Sequence, residues 1–173
     1  MVNARAWSDG GGNTGYPCAC AAVVDIDTPS ILHGSAVTTW HVAERLPRCS
    51  TNNEAEYEGV LLAMDFALEN SVKNLMLYTD SRLVRNHILG RQPAKDQRMK
   101  NYLEIALSTI KRFDHFVIEW VPRTANKEAD RLCREVLKGD SDAFRRIFTP
   151  PPKPRPRPPV ILPLAPKKNP FAP

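Results

Sequence analysis

The sequence predicts an α/β protein built on a mixed five-stranded sheet, and two features of its pattern point to this class. Three β-rich stretches come first, and the turn signal at 27–30 makes the second and third a hairpin. Strand-like and helix-like stretches then alternate, in the order β-β-β-α-β-α-α-β-α, which favours parallel pairing with helices packed on the sheet. We therefore expect three antiparallel strands followed by parallel ones.

Local signals place each predicted element. The first strand, residues 4–8, runs into Asp9 and the glycines of 10–12, a strong turn signal. Thr51 or Asn52 can cap the first long helix, and Asp96 can cap a later one. The other predicted strands are 20–26, 31–40, 74–79 and 116–121, and the predicted helices are 52–69, 81–89, 96–113 and 126–137.

Composition divides the chain into two parts. Of its 173 residues, 24 are Lys or Arg and 19 are Asp or Glu, giving a net charge of +5. Eleven of the 16 prolines lie from Pro150 onward, and residues 149–173 hold five basic residues and no acid. Proline fixes φ and removes a donor, so we expect a folded domain at 1–148 and an extended, disordered tail at 149–173. The folded part is then close to neutral.

The sequence argues against a membrane-spanning protein, a secreted protein and a zinc protein. The chain lacks the run of about 18 apolar residues that crosses a bilayer, and its start lacks the apolar region of a secretory signal. Its four cysteines do not have the paired spacing of zinc sites. We expect reduced thiols in a cytoplasmic protein.

Two aspartates follow predicted strands. Asp9 ends the first strand at the glycine run, and Asp80 follows the apolar strand 74–79. Because the carboxyl ends of neighbouring parallel strands meet at one edge of a sheet, both carboxylates would lie at that edge. Each could instead be a turn former or a helix cap.

The first long helix separates its three early glutamates by face. A polar stripe, predicted to face solvent, contains Glu54, Glu58, Asp65 and Glu69. Glu56 instead lies one turn before Val60 and borders the apolar face. A carboxylate in that position is costly unless it finds a cation or hydrogen-bond donors.

Asp130 repeats this pattern in the last predicted helix, where it lies beside the apolar stripe. It could alternatively pair with Arg134 at i+4. Four acids from four separate elements make a set of hard oxygen ligands suited to Mg²⁺ or Mn²⁺. Two such ions can assist an in-line phosphoryl displacement, so the residues indicate a metal-assisted phosphodiesterase.

Four segments together resemble the type 1 ribonuclease H family across about three-quarters of the chain. They are SDGGG at 8–12, TNNEAEYEGVLLAM at 51–64, YTDSRLV at 78–84 and VPRTANKEADRL at 121–132. The resemblance implies an RNase H-like fold and hydrolysis of the RNA strand of RNA–DNA hybrids, leaving 5′-phosphate and 3′-hydroxyl ends. It implies two Mg²⁺ ions, with Mn²⁺ as a substitute, held by a catalytic quartet. The matching positions are Asp9, Glu56, Asp80 and Asp130.

The resemblance also implies substrate contacts. Asn52 and Asn53 match asparagines that contact minor-groove atoms and 2′-hydroxyls, although either could serve as a helix cap. Thr51 matches a threonine that helps to hold a phosphate of the DNA strand. Asn13 matches an asparagine of the first family loop, and Arg82 stands where some members have a polar minor-groove residue.

Two departures from the family pattern concern loops. Residues 90–96 leave no room for the basic, tryptophan-rich protrusion of many bacterial members, although 82–100 still holds six basic residues against one acid. These could contact phosphates or form an ordinary solvated face. The loop 123–126 reads Arg-Thr-Ala-Asn where some members place a catalytic histidine.

The functional expectation is therefore a monomeric ribonuclease H-type endonuclease whose partner is an RNA–DNA hybrid. A non-catalytic hybrid- or duplex-binding module of the same fold stays open, as does a nuclease for another duplex. The tail at 149–173 could attract nucleic acid through its cations, dock on a protein groove, or act only as a solubilising segment.

Overall fold

The computed structural model describes residues 2–12, 17–28, 36–49 and 51–139. Its strands are β1 (Val2–Gly12), β2 (Cys18–Thr28), β3 (Ala36–Leu46), β4 (Val72–Thr79) and β5 (His115–Trp120). Its helices are α1 (Asn52–Glu69), α2 (Arg82–Ile88), α3 (Gln97–Ile110) and α4 (Lys127–Lys138), and a 3₁₀ turn at Arg123–Ala125 precedes α4.

The strands form one mixed sheet in the order β3-β2-β1-β4-β5. Strands β1, β2 and β3 pair antiparallel, whereas β4 runs parallel to β1 and β5 runs parallel to β4. This confirms the predicted fold class. It also makes β1 and β4 the central neighbours, so residues at their carboxyl ends lie side by side.

Two apolar layers enclose the sheet because side chains alternate between its faces. On one face, α1 buries Tyr57, Val60 and Met64 among the alanines and valines of β1 and β2. On the other face, α4 buries Leu132 and Cys133 against a second set of small side chains from β2 and β3. The small side chains of the central strands allow both helices to pack close to the backbone.

Two predicted strands are longer or shifted. The glycine run was expected to end β1, but the strand continues to Gly12 because β2 supplies its ladder partners, pairing Gly10 with Cys20 and Gly12 with Cys18. The third strand was expected at 31–40 and occupies Ala36–Leu46, since it pairs with β2 along its whole length. Residues 31–35 lie outside the described part of the chain.

The polar stripe predicted for α1 does not face solvent along its whole length. Glu54 is only 6% exposed, and Glu58 accepts a 2.7 Å hydrogen bond from the Tyr102 hydroxyl. Helix α3 packs on this part of α1 and covers the first half of the stripe, whereas Asp65 and Glu69 are exposed as predicted. Helix α3 itself ends at Ile110 rather than 113, and Phe113 then enters the core.

The remaining sequence predictions concern the cysteines, membrane-spanning helices and the C-terminal tail. All four cysteines are buried and form no disulfide in the structure, and their reduced state stays a prediction. Among the described residues, no helix has the length and apolar character needed to cross a membrane. The tail at 149–173, and with it the predicted domain boundary, lies outside the described residues.

Candidate metal centre

Three of the predicted acids meet at the edge of the sheet. Asp9 lies near the end of β1, Asp80 directly follows β4, and Glu56 lies in the first turns of α1. Each offers one carboxylate oxygen, and these oxygens all lie within 4.8 Å of one another. The parallel pairing of Ser8 with Thr79 brings Asp9 and Asp80 together, as the sequence predicted.

Glycines bring Glu56 into this group. A Cβ atom on Gly10 would lie 2.0 Å from the carbonyl oxygen of Ala55, and one on Gly59 would lie 2.5 Å from that of Asp9. Both distances are impossible for a real side chain, so α1 can cross β1 at this depth only because both positions lack one. The crossing places Glu56 beside Asp9.

The electrostatics of the group are strongly unfavourable to three negative charges. Burial, and then the charge of Asp80, raises the pKa of Asp9 from 3.8 to about 6. Burial, and then the charges of Asp9 and Asp80, raises the pKa of Glu56 from 4.5 to about 9. The positive charge of Arg123 opposes both shifts without cancelling them.

The donor set fits a divalent cation. Within the described part of the chain, Oε2 of Glu56 is buried and has no hydrogen-bond partner. Carboxylate oxygens are the ligands that Mg²⁺ and Mn²⁺ prefer, and a bound dication would offset the repulsion that raises these pKa values. The structure therefore supports Asp9, Glu56 and Asp80 as ligands.

Asp130 is not brought into this group. Asp130 is buried, with its side chain 6% exposed, and Arg123 donates to Oδ1 through Nε at 3.1 Å and Nη2 at 2.6 Å. Arg134 pairs with Oδ2, so the alternative that the sequence left open is the arrangement present. The part played by Arg123 was missed, because spacing within α4 says nothing about a residue on the preceding turn. Metal binding by Asp130 stays a prediction.

Asp80 has two further partners that local sequence patterns do not reveal. The Asn126 side-chain amide donates to Oδ1 of Asp80 at 3.1 Å, and the Trp120 indole donates to its backbone carbonyl at 3.1 Å. The parallel alignment of β5 with β4 brings Trp120 within reach of Asp80. The contact of Asn126 depends instead on how the start of α4 packs against the sheet.

The predicted substrate residues cluster at the start of α1 and α2. Thr51 caps α1 and forms a capping box with Glu54, and Asn52 and Asn53 are exposed next to it. Arg82 is exposed, and its guanidinium lies 4.2 Å from the ring centre of Trp120. Asn13 lies outside the described residues. The contacts of these side chains with nucleic acid remain predictions.

The fold and the acidic group together define a class of protein. In this class, two neighbouring parallel strands of a mixed sheet and the first long helix bring carboxylates together at one edge of the sheet. The profile of the family described as "Reverse transcriptase-like" matches residues 30–136. The chain belongs to this family and, within it, is type 1 RNase H-like.

Individual relatives agree with this assignment. Ribonuclease HI of Halobacterium salinarum is 32% identical over 88 residues, which cover 51% of this chain and 44% of that relative. The match thus spans less than half of that curated relative. The crystal structure of RNase H1 from the same organism shares 27% identity and has a TM-score of 0.67, covering 78% of this chain and 97% of the other.

A third comparison concerns the fold. LC11-RNase H1, solved in complex with an RNA/DNA hybrid, is 21% identical to this chain. Its TM-score is 0.63, with 78% of this chain and 96% of the other covered. At this identity the likeness shows the shared architecture.

Proposed function

We propose that this protein is a divalent-metal-dependent endonuclease that hydrolyses the RNA strand of RNA–DNA hybrids. The observation that carries the proposal is the group of Asp9, Glu56 and Asp80 oxygens within 4.8 Å of one another. Three acids in partly buried positions serve no evident packing purpose, and they destabilise the fold unless a cation binds. Membership of the RNase H-like family supplies the reaction class.

Asp9, Glu56 and Asp80 would hold the metal, and Asp130 would join them if it left its arginine partners. Bound in pairs, divalent ions supply activation of the attacking water and stabilisation of the departing oxygen. Hydrolysis adds water across the P–O3′ bond. The attacking oxygen stays on phosphorus as part of a 5′-phosphate, and the other fragment leaves with a 3′-hydroxyl.

The arginines beside the site balance its charge. Arg123 and Arg134 neutralise Asp130, and Arg123 also lowers the pKa values of Asp9 and Glu56. Arg123 lies on the turn where some family members carry a histidine. Its side chain is 70% exposed, so it can move toward a phosphate without breaking a packed core. We assign to it the stabilisation of Asp130 before substrate binds.

We assign the recognition of RNA to residues at the start of α1. Asn52 and Asn53 are exposed one turn before Glu56, so amides able to read a 2′-hydroxyl lie on the same helix end as a metal ligand. Thr51 fixes this end by accepting from the backbone of Glu54 at 3.2 Å. A hybrid bound there would present its RNA strand to the acidic group.

The test compares three labelled duplexes of one sequence: an RNA–DNA hybrid, an RNA duplex and a DNA duplex. Each is incubated with Mg²⁺, with Mn²⁺ and with EDTA. We expect cleavage confined to the RNA strand of the hybrid, dependent on either metal, with 5′-phosphate products. Hybrid binding without cleavage in either metal would favour a non-catalytic binding module. Preferential cleavage of the RNA duplex or the DNA duplex would show that the hybrid is not the preferred substrate.

A further inference from the structure

Asn126 is a helix-capping residue that does not cap its helix. It occupies the N-cap of α4, where asparagine usually accepts a hydrogen bond from the first turn, but its side chain makes no such bond. Asn126 is 1% exposed, and its side chain faces the sheet instead. The helix thus loses a stabilising contact of about 1 kcal/mol that this residue type ordinarily provides.

The Asn126 amide bridges the two central strands at the acidic edge. Its Nδ2 donates to the Ser8 carbonyl at 2.8 Å and to Oδ1 of Asp80 at 3.1 Å. Ser8 precedes Asp9 in β1, so one side chain contacts the backbone beside one acid and the carboxylate of another. Both hydrogens of the amide are used in these two bonds.

The Trp120 side chain binds the backbone of the same aspartate, Asp80. The indole Nε1 donates to the Asp80 carbonyl at 3.1 Å, which fixes the peptide that follows β4. Asp80 is therefore held at two points, its main chain by Trp120 and its carboxylate by Asn126. A carboxylate that is already oriented loses less conformational entropy when it binds an ion.

A neutral amide suits this role better than a cation does. The guanidinium groups at Asp130 occupy its oxygens with positive charge, which a metal ion must displace. Asn126 orients Asp80 and leaves its negative charge uncompensated. The charge stays available for a divalent ion.

We propose that Asn126, assisted by Trp120, is a positioning residue that orients the Asp80 carboxylate for divalent metal binding. The inference rests on the proposed function, because it assumes that Asp80 is a metal ligand. It extends that function to two residues outside the acidic group. Its consequence is a lower metal affinity, rather than a lost fold, when either donor is removed.

The test measures Mn²⁺ affinity by titration calorimetry on the full-length protein without nucleic acid. Asn126→Ser keeps a good capping residue but is too short to bridge Ser8 and Asp80. Trp120→Phe keeps a ring beside Arg82 and removes the indole donor. The matched control is Asn74→Ser, which removes another buried amide between β4 and β1, bonded to Asn3 at 2.7 Å. It lies six residues before Asp80, about 20 Å along the strand.

We expect Asn126→Ser to weaken Mn²⁺ binding by about tenfold or more, in the range found for groups that orient metal ligands. Trp120→Phe should weaken it several-fold, and Asn74→Ser should leave it within about twofold of wild type. Hybrid cleavage by Asn126→Ser should recover as Mn²⁺ is raised, since the lesion is in metal affinity. Because bound metal would also stabilise a partly unfolded protein by mass action, circular dichroism in EDTA checks that the variant is folded before Mn²⁺ is added.

Folded Asn126→Ser with wild-type Mn²⁺ affinity overturns the inference while leaving the proposed function intact. If Asn126→Ser does not fold, as judged by circular dichroism, Trp120→Phe decides by the same criterion. A folded wild-type protein that binds neither Mn²⁺ nor Mg²⁺ overturns the metal centre and this inference with it.

Discussion

At the scale of single residues, Glu56 shows most clearly that the fold carries an electrostatic cost. Its carboxylate borders the core, has a buried oxygen without a partner among the described atoms, and lies beside Asp9 and Asp80. Burial is the largest cause of its raised pKa, and the two neighbouring charges add to it. The side chain is therefore kept neutral in the metal-free protein at pH 7, or charged at the expense of stability.

The raised pKa of Glu56 predicts that the stability of the metal-free protein falls as pH rises. The pKa of Glu56 is about 9 in the folded protein and near 4.5 when unperturbed, so the native state binds the extra proton between these values. The free energy of unfolding should then fall as pH rises through this window, by up to about 1.4 kcal/mol per pH unit for one proton. Glu56→Gln should flatten the dependence and raise the melting temperature at pH 8.

The control is Glu135→Gln, which changes an exposed glutamate paired with Arg131 on α4. It should alter neither the slope nor the melting temperature measurably. Thermal melts in EDTA at several pH values between 5 and 9 provide the comparison. A metal-free Glu56→Gln protein that is less stable than wild type at pH 8 would contradict this account of the site.

At the scale of elements, the crossing of α1 over β1 creates the site. The helix approaches so closely that Gly10 and Gly59 each stand where a Cβ would collide with the opposing backbone. The capping box at Thr51 then fixes the helix start. A shift of α1 by even a fraction of an ångström moves Glu56 relative to Asp9.

Gly59→Ala tests this crossing. Alanine raises intrinsic helix propensity by about 1 kcal/mol, but its Cβ would lie 2.5 Å from a backbone oxygen that cannot rotate away. The steric effect should dominate, lowering the free energy of unfolding by about 1–3 kcal/mol and weakening Mn²⁺ binding.

Gly139→Ala is the control, because its Cβ would meet an ordinary contact at 3.5 Å. Urea unfolding and metal titration distinguish the two variants. Gly59→Ala as stable as wild type, with unchanged metal affinity, would show that the crossing tolerates a side chain.

The elements also show what the sequence can and cannot predict. Periodicity and turn signals suffice for the order of strands and helices, and strand ends suffice to place Asp9 and Asp80 together, because these features are local. The glycine run was misread as a turn because it pairs with β2 and because Gly10 lies where α1 crosses β1, and both contacts are distant in sequence. Glu54 and Asn126 were misplaced or overlooked for the same reason: their partners belong to other elements.

At the scale of the whole molecule, charge is unevenly distributed along the chain. The net charge is +5, and residues 149–173 contribute five cations and no acid, leaving the remainder near neutral. A domain without net positive charge gains little long-range attraction to a polyanion. The tail lies outside the described residues, so its role is predicted from composition.

We predict that the tail strengthens hybrid binding through counterion release. Replacing its five basic residues by glutamine in the full-length chain should weaken hybrid affinity at low salt and reduce the slope of log K against log salt. The control replaces three tail prolines by serine, which preserves charge. An unchanged slope in the glutamine variant would indicate a passive tail or one that binds a protein.

Metal-dependent hydrolysis at the acidic group is tested most directly by cleavage of a labelled RNA–DNA hybrid by Asp80→Asn, with hybrid binding measured in the same samples. The substituted amide has nearly the same shape and can still accept the bond from Asn126, but it lacks the charge that holds a dication. We expect the wild-type protein to cleave the hybrid in Mg²⁺, the variant to cleave it only at the EDTA background, and both proteins to bind it with the same affinity. Mg²⁺-dependent cleavage retained by Asp80→Asn would contradict the proposed metal centre.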